Sequence, residues 1–137
     1  MTETERRALR ELRAALLQLH KTLLDWERVS YERANGRMSP GELLKALTSD
    51  PYFAWLRPVS ELIVRMDGML DADPDDATGV DAQTVITQTQ ALLVPDEEGT
   101  PYARRYYTAL QEHPDAIIAH RQVTTVLKKH PARETLH

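Results

Sequence analysis

A row of apolar residues in the first quarter of the chain constrains the fold more than any other feature. Its members recur at alternating spacings of three and four, the pattern of one face of a long α-helix: Leu9, Leu12, Leu16, Leu19, Leu23 and Trp26. Asn35 and Gly36 follow, and both residue types tolerate the left-handed conformation that ends a helix. The sequence therefore predicts a helix from Thr4 to Ala34, about 45 Å long at 1.5 Å per residue.

Helix signals continue to the end of the chain, and no segment alternates between apolar and polar residues as a strand does. A capping residue followed by proline marks further helix starts, at Ser39-Pro40, Asp50-Pro51 and Thr100-Pro101. Pro58 is expected to kink a helix or begin a new one, and Thr78 is expected to cap the fourth helix. We predict an all-α fold: a mainly antiparallel four-helix-type bundle with one or two short extra helices, in a single domain over residues 1–137.

Composition excludes several classes of protein. The 137 residues include no cysteine, which rules out disulfides, thiol nucleophiles and thiolate metal sites. No run approaches the roughly 20 apolar residues that span a bilayer, so integral membrane association is not expected. The first dozen residues mix acidic and basic side chains and form no apolar signal, which predicts a cytoplasmic location.

Charge is unevenly distributed along the chain. Residues 38–99 carry 12 acidic and 3 basic side chains, whereas residues 1–37 and 100–137 each have an excess of basic ones. In an antiparallel bundle, this distribution lets the terminal helices attract the central ones. The net charge is −4 and no basic stripe dominates the domain, so nucleic acid is not expected as a partner.

No motif with a recognised chemical function is present. The chain lacks glycine-rich phosphate-binding loops and the Gly-x-Ser-x-Gly elbow of hydrolases. The acidic segment beginning at Asp71 has the first spacings of a calcium loop, but Asp76 and Ala82 occupy the positions that require glycine and glutamate. The sequence therefore predicts no metal site and no cofactor, and it favours a non-enzymatic role.

Aromatic and ionisable residues at helical positions form a candidate ligand site. Rings with polar tips can line a pocket between helices, and a histidine or carboxylate buried in a bundle is a candidate site group. The candidate residues are His20, Glu27, Tyr52, Trp55, Tyr102, Tyr106 and His113. In the alternative interpretation, the rings close the end of the core and the histidines are structural. Arg104 and Arg105 lie beside the tyrosines and could hold an anion, although surface arginines are commoner.

The apolar face of the first helix needs a cover, and the sequence allows two. Shorter helices of the same chain can cover it, or a second copy can do so, in which case Leu9, Leu12 and Leu16 form a symmetric dimer seam. We therefore predict a helical protein-interaction or self-association module, either a homo-oligomer or a protein with a separate partner. The alternative is a ligand-binding or enzymatic bundle that uses the aromatic-lined pocket.

Overall fold

The computed structural model of the chain describes residues 1–73 and 79–131, and these residues form helices and no strand. A 3₁₀-helix, Pro51–Leu56, accompanies α1 (Glu3–Asn35), α2 (Pro40–Ser49), α3 (Arg57–Asp71), α4 (Gly79–Leu92), α5 (Pro101–Glu112) and α6 (Pro114–Lys129). The all-α prediction is confirmed. The predicted cap Thr78 and the centre of the acidic loop lie outside the described residues.

Helix α1 has well-defined ends. The Thr2 hydroxyl accepts a hydrogen bond from the Glu5 backbone N–H at 3.0 Å, and the Glu5 carboxylate accepts one from the Thr2 N–H at 2.9 Å. This reciprocal pair is a capping box, which satisfies N–H groups that the helix itself leaves without partners. Beyond the other end, Gly36 has φ 85°, a conformation that strains residues with a side chain. The predicted bounds of this helix are correct to within one residue at each end.

Helices α3 and α6 both run opposite to α1. Near the start of α1, Arg6 donates a hydrogen bond to the carbonyl of Leu70, close to the end of α3, at 2.8 Å. Glu11, also early in α1, lies 2.9 Å from the Nζ atom of Lys129 at the end of α6. Because early residues of α1 meet late residues of α3 and α6, both neighbours are antiparallel to it.

Helix α4 runs antiparallel to α3. Pro58, in the first turn of α3, and Leu92, in the last turn of α4, line the same groove. Arg65, further along α3, donates a hydrogen bond to Gln88, earlier in α4. Helix α4 therefore runs in the same direction as α1, which it also contacts.

The apolar face of α1 is covered within the chain. Leu9, Leu12 and Leu16 are 0%, 1% and 0% exposed, and they form one core cluster with apolar residues of α3, α4 and α6. The predicted dimer seam at these three leucines is therefore corrected, since their side chains have no surface to offer a second copy. Self-association through other residues stays a prediction.

Capping side chains mark where three of the helices after α1 begin. Side chains of Ser39, Asp50 and Thr100 each accept a hydrogen bond from a backbone N–H two or three residues later, at 2.9–3.2 Å. Pro58 lies in the first turn of α3, so it begins a new helix. Helix α2 has no buried residue. These junctions place the 3₁₀-helix and α5 in contact with each other and the 3₁₀-helix against α1.

Candidate functional site

The carboxylate of Glu27 lies at the centre of a cluster of hydrogen-bonded side chains inside the bundle. Glu27 is 1% exposed although it carries a charge. Arg105 of α5 donates through Nε to Oε2 at 2.9 Å and through Nη2 to Oε1 at 2.6 Å. The indole N–H of Trp55 donates to Oε2 at 2.6 Å. Removing a carboxylate from water is costly unless it is paired, and a two-point arginine contact is among the strongest pairings available.

Aromatic rings lie beside both partners of this ion pair. The Cζ atom of Arg105 lies 4.3 Å from the centroid of the Trp26 ring, which is cation–π geometry. Trp26 and Trp55 meet edge to face, with ring centroids 6.4 Å apart. The Trp55 ring in turn lies 5.8 Å from that of Tyr102. The guanidinium of Arg105 therefore has both a carboxylate and an aromatic face as partners.

The aromatic group continues from α5 to α6. Tyr102 and Tyr106 are stacked with ring centroids 5.5 Å apart, and the Tyr106 hydroxyl lies 2.6 Å from Nδ1 of His120. Burial lowers the pKa of His120 and raises the pKa of Tyr106, so both groups are held in their neutral forms. The Tyr102 hydroxyl is buried and has no hydrogen-bond partner among the described residues.

The structure brings together most, but not all, of the residues predicted to form a ligand site. Burial, and then the charge of the nearby Glu27 carboxylate, raises the pKa of Tyr52. The residues that converge are Glu27, Tyr52, Trp55, Tyr102 and Tyr106. His20 lies two turns before Glu27 on α1, and His113 lies at the junction of α5 and α6. Within the described residues, none of the hydrogen bonds of Glu27 involves either histidine.

Three members of this group were not predicted as site residues: Trp26, Arg105 and His120. In the sequence, Trp26 belongs to the apolar row of α1, and an arginine such as Arg105 is more typical of a surface. His120 could have been found from its position, because it lies on the same face of α6 as Ala116 and Val123, which are buried. Arg105 could have been found from the need of a buried Glu27 for a cation.

The second feature is the lack of charge on α4 after its first turn, which contains Asp81. Residues 82–95 contain no Asp, Glu, Lys or Arg, and this run of 14 residues is twice as long as the next, residues 14–20. The inward positions of α4 belong to the core, while its outward positions are exposed. We term four exposed, uncharged residues that share one side of this helix the α4 face: Thr84, Thr87, Gln88 and Ala91. The outer face of a helix in a globular protein usually carries charged side chains, so α4 departs from the other helices.

A groove of about 310 Å³ borders the α4 face. It lies between α3 and α4 and is lined by Pro58, Glu61, Leu62, Arg65, Gln88, Ala91 and Leu92. Val64, on the outer side of α3, is 67% exposed, and Val94, just beyond α4, is 61% exposed. Single exposed apolar residues are common, and the groove itself contains one charged side chain of each sign, Glu61 and Arg65.

Comparisons with family models, curated proteins and solved structures match nothing. Among the described helices, none is long and apolar enough to cross a membrane. Within residues 1–73 and 79–131, no three histidine, aspartate or glutamate side chains converge as metal ligands would.

Proposed function

We propose that the chain is a helical protein-interaction module whose binding surface is the α4 face together with the neighbouring groove. The observation that carries the proposal is the absence of charge over residues 82–95. The centres of protein interfaces are depleted in lysine, glutamate and aspartate, because burying an unpaired charge is costly. A partner can cover the α4 face itself without removing a charged group from water, whereas the groove presents one acidic and one basic side chain, Glu61 and Arg65.

The dimensions of this surface favour a transient interaction. Helix α4 has 14 residues and is about 21 Å long at 1.5 Å per residue. Helix α3 packs beside it at an axis separation of about 8–10 Å, so the two helices together are about 20 Å wide. The area of the flat surface is then roughly 400 Å². A standard stable interface buries about 800 Å² on each partner. We therefore expect an interaction that forms and dissociates readily.

The absence of cysteine allows a direct test of the proposal. Thr87→Cys places a single thiol on the α4 face, and Thr125→Cys places a matched thiol on the exposed side of α6. Maleimide labelling of each variant is compared between dilute purified protein and cells that express it at native level. We expect labelling at position 87 to be several-fold slower in cells and labelling at position 125 to be unchanged. Equal rates at position 87 in both settings would contradict the proposal.

The proposal includes a location and a class of partner. We place the protein in the cytoplasm, which its lack of cysteine supports, because disulfide-rich proteins belong to oxidising compartments. The partner is a protein, since the α4 face has no basic side chain with which to bind phosphate and the groove has Arg65 with the acidic Glu61 one turn away. Fractionation and salt-dependent binding to duplex DNA test these two points separately.

A second candidate function is the binding of a small polar ligand at the aromatic group around Glu27. It is supported by the buried Tyr102 hydroxyl, which has no hydrogen-bond partner among the described residues and which a ligand oxygen could satisfy. Native mass spectrometry of the purified protein tests for retained mass, with Tyr102→Phe as the comparison. Retained mass that is lost in the variant supports ligand binding. No retained mass, with equal or higher stability of the variant, contradicts it.

A further inference from the structure

We propose that Tyr106 and His120 form a redox-active pair, and that the aromatic rings from Trp26 to Tyr106 carry an electron from this pair to a one-electron oxidant at the surface. The inference goes beyond the proposed function and is independent of the α4 face. It gives a chemical role to side chains of α1, the 3₁₀-helix, α5 and α6 that otherwise only fill the core.

The rings form a continuous series of contacts from the surface to the core. Trp26 and Trp55 are partly exposed, whereas Tyr102 and Tyr106 are 7% and 0% exposed. Successive ring centroids along the series are 6.4, 5.8 and 5.5 Å apart, within the range of about 4.5–7 Å for aromatic rings in contact. Electrons move rapidly between rings that are this close. An electron removed from Trp26 can therefore be replaced from Tyr106, which an oxidant in solution cannot touch.

The ion pair of Glu27 and Arg105 favours movement of the electron vacancy inward from Trp26. The Arg105 guanidinium lies 4.3 Å from the centroid of the Trp26 ring, so it disfavours positive charge on that ring. The indole N–H of Trp55 donates to the Glu27 carboxylate at 2.6 Å, so Trp55 contacts an anion that favours positive charge on its ring. A vacancy created at Trp26 is therefore more stable at Trp55.

Of the two tyrosines in the series, only Tyr106 has a base for its proton. A phenol that loses an electron becomes a strong acid, and the radical persists when a base takes the proton. The Tyr106 hydroxyl lies 2.6 Å from Nδ1 of His120, within reach of direct proton transfer. The Tyr102 hydroxyl is buried and has no hydrogen-bond partner among the described residues. Tyr102 therefore relays the electron, and Tyr106 holds the radical.

One electron and one proton leave Tyr106 by different routes. The electron passes through Tyr102 and Trp55 to oxidised Trp26, which returns to its reduced form. The phenolic O–H bond breaks, and its proton forms an N–H bond at Nδ1 of His120, whose neutral ring carries its proton on Nε2. The products are a neutral tyrosyl radical, an imidazolium and the reduced oxidant. The oxidant is a metal complex or small radical that is strong enough to oxidise an indole.

A ruthenium polypyridyl photosensitiser attached to one cysteine tests the proposal, since the chain has no cysteine of its own. Val29→Cys places the label one turn from Trp26 at an exposed position of α1, and Val64→Cys places a matched label on α3, a helix without aromatic residues. Laser excitation with an electron-accepting quencher generates the ruthenium oxidant. Transient absorption and electron paramagnetic resonance detect the radical. We expect a long-lived tyrosyl radical from position 29 and a several-fold lower yield from position 64.

Variants of the chain labelled at position 29 locate the radical. Tyr106→Phe should lower the tyrosyl yield several-fold. His120→Gln should do the same, because it keeps a polar side chain but removes the base. Tyr102→Phe keeps the relaying ring and should leave the yield unchanged, as should Tyr107→Phe, which lies outside the series. Circular dichroism of each variant confirms that the helices are retained.

A tyrosyl yield that is unchanged in Tyr106→Phe or in His120→Gln overturns the proposal, because the radical then lies on another tyrosine or needs no base. Equal yields from positions 29 and 64, or a radical confined to the tryptophans, also overturn it. A further measurement needs no variant of the pair. In deuterated solvent the tyrosyl radical should form more slowly, since a proton moves in the same step, and an unchanged rate contradicts the proposal.

Discussion

Replacing Arg105 with methionine tests whether the ion pair with Glu27 stabilises the packing of α5 against α1. The substitution keeps an unbranched side chain but leaves the Glu27 carboxylate, which is 1% exposed, without its charged partner. Breaking a buried ion pair from one side costs about 3–5 kcal/mol. Because the Arg105 side chain is 34% exposed, solvent screens part of the interaction, and we expect about 3 kcal/mol.

This loss of stability corresponds to a measurable change in melting temperature. Unfolding entropy near 2.1 cal/mol/K per residue gives about 0.3 kcal/mol/K for a chain of this length, so Tm should fall by roughly 10 °C. Far-UV circular dichroism during thermal and urea unfolding measures the global transition. Trp26 and Trp55 are the two tryptophans of the chain and both contact the ion pair or its partners. Tryptophan fluorescence therefore reports on this group specifically.

The two partners should respond unequally. Glu27→Gln leaves a partly exposed guanidinium that water can solvate, so it should cost about 1 kcal/mol. The double variant Glu27→Gln/Arg105→Met should have a free energy of unfolding close to that of Glu27→Gln alone. Neither charge of the pair remains in the double variant, so no buried carboxylate is left without a partner. Arg104→Met, at the exposed neighbouring position, should change stability by less than about 0.5 kcal/mol. A cost below about 1 kcal/mol for Arg105→Met, or a double variant equal to the sum of the single ones, would refute the reasoning.

Three further predictions use the same unfolding assays. Burial lowers the pKa of His20 from its ordinary value of 6.5, so the unfolded chain binds more protons as the pH falls below that value. Stability should therefore decrease below that pH, and less steeply in His20→Gln. Hydrogen bonds from Lys129 and His130 lower the pKa of Glu11 from its ordinary value of 4.5. The contribution of these bonds to the free energy of unfolding is present above pH 4.5 and is lost as the pH falls further. The Glu11→Gln variant should therefore lose less stability on acidification than the native chain. Phe53→Ala, at a buried ring, should cost about 3–5 kcal/mol, and a urea midpoint close to that of the native chain would contradict this.

Periodicity and capping predicted much of the fold because both depend on residues that are close in sequence. The leucine row and Asn35-Gly36 located α1, and the Ser39 cap located the start of α2. The cover of α1 could not be predicted in the same way. Burial by the same chain and burial by a second copy require the same apolar residues, so Leu9 has the same pattern in both cases.

Only one partner of the ion pair at the candidate site, Glu27, could be predicted from the sequence. Glu27 stood out because a carboxylate beside an apolar stripe needs a partner. That partner, Arg105, is 78 residues away, and no local spacing encodes a pairing over such a distance. The lack of charge over residues 82–95 was visible in the sequence, but its meaning depended on which side of α4 faces outward. His20 shares the flank of α1 with Glu27, yet it lies too far along the helix to join the group.

Helix α2 should unfold locally at a lower free-energy cost than the rest of the bundle. Its 10 residues include no fully buried one, and only partly buried side chains such as Leu43, Ala46 and Leu47 pack it against the core. Helices shorter than about 12–15 residues depend on such tertiary support in water. Its hydrogen bonds can therefore open locally at a small free-energy cost while the rest of the bundle stays folded. Amide hydrogens of α2 should exchange with solvent long before those of α1, and among the described helices a protease should cut residues 40–49 first. The Tm of the whole chain therefore does not describe this segment.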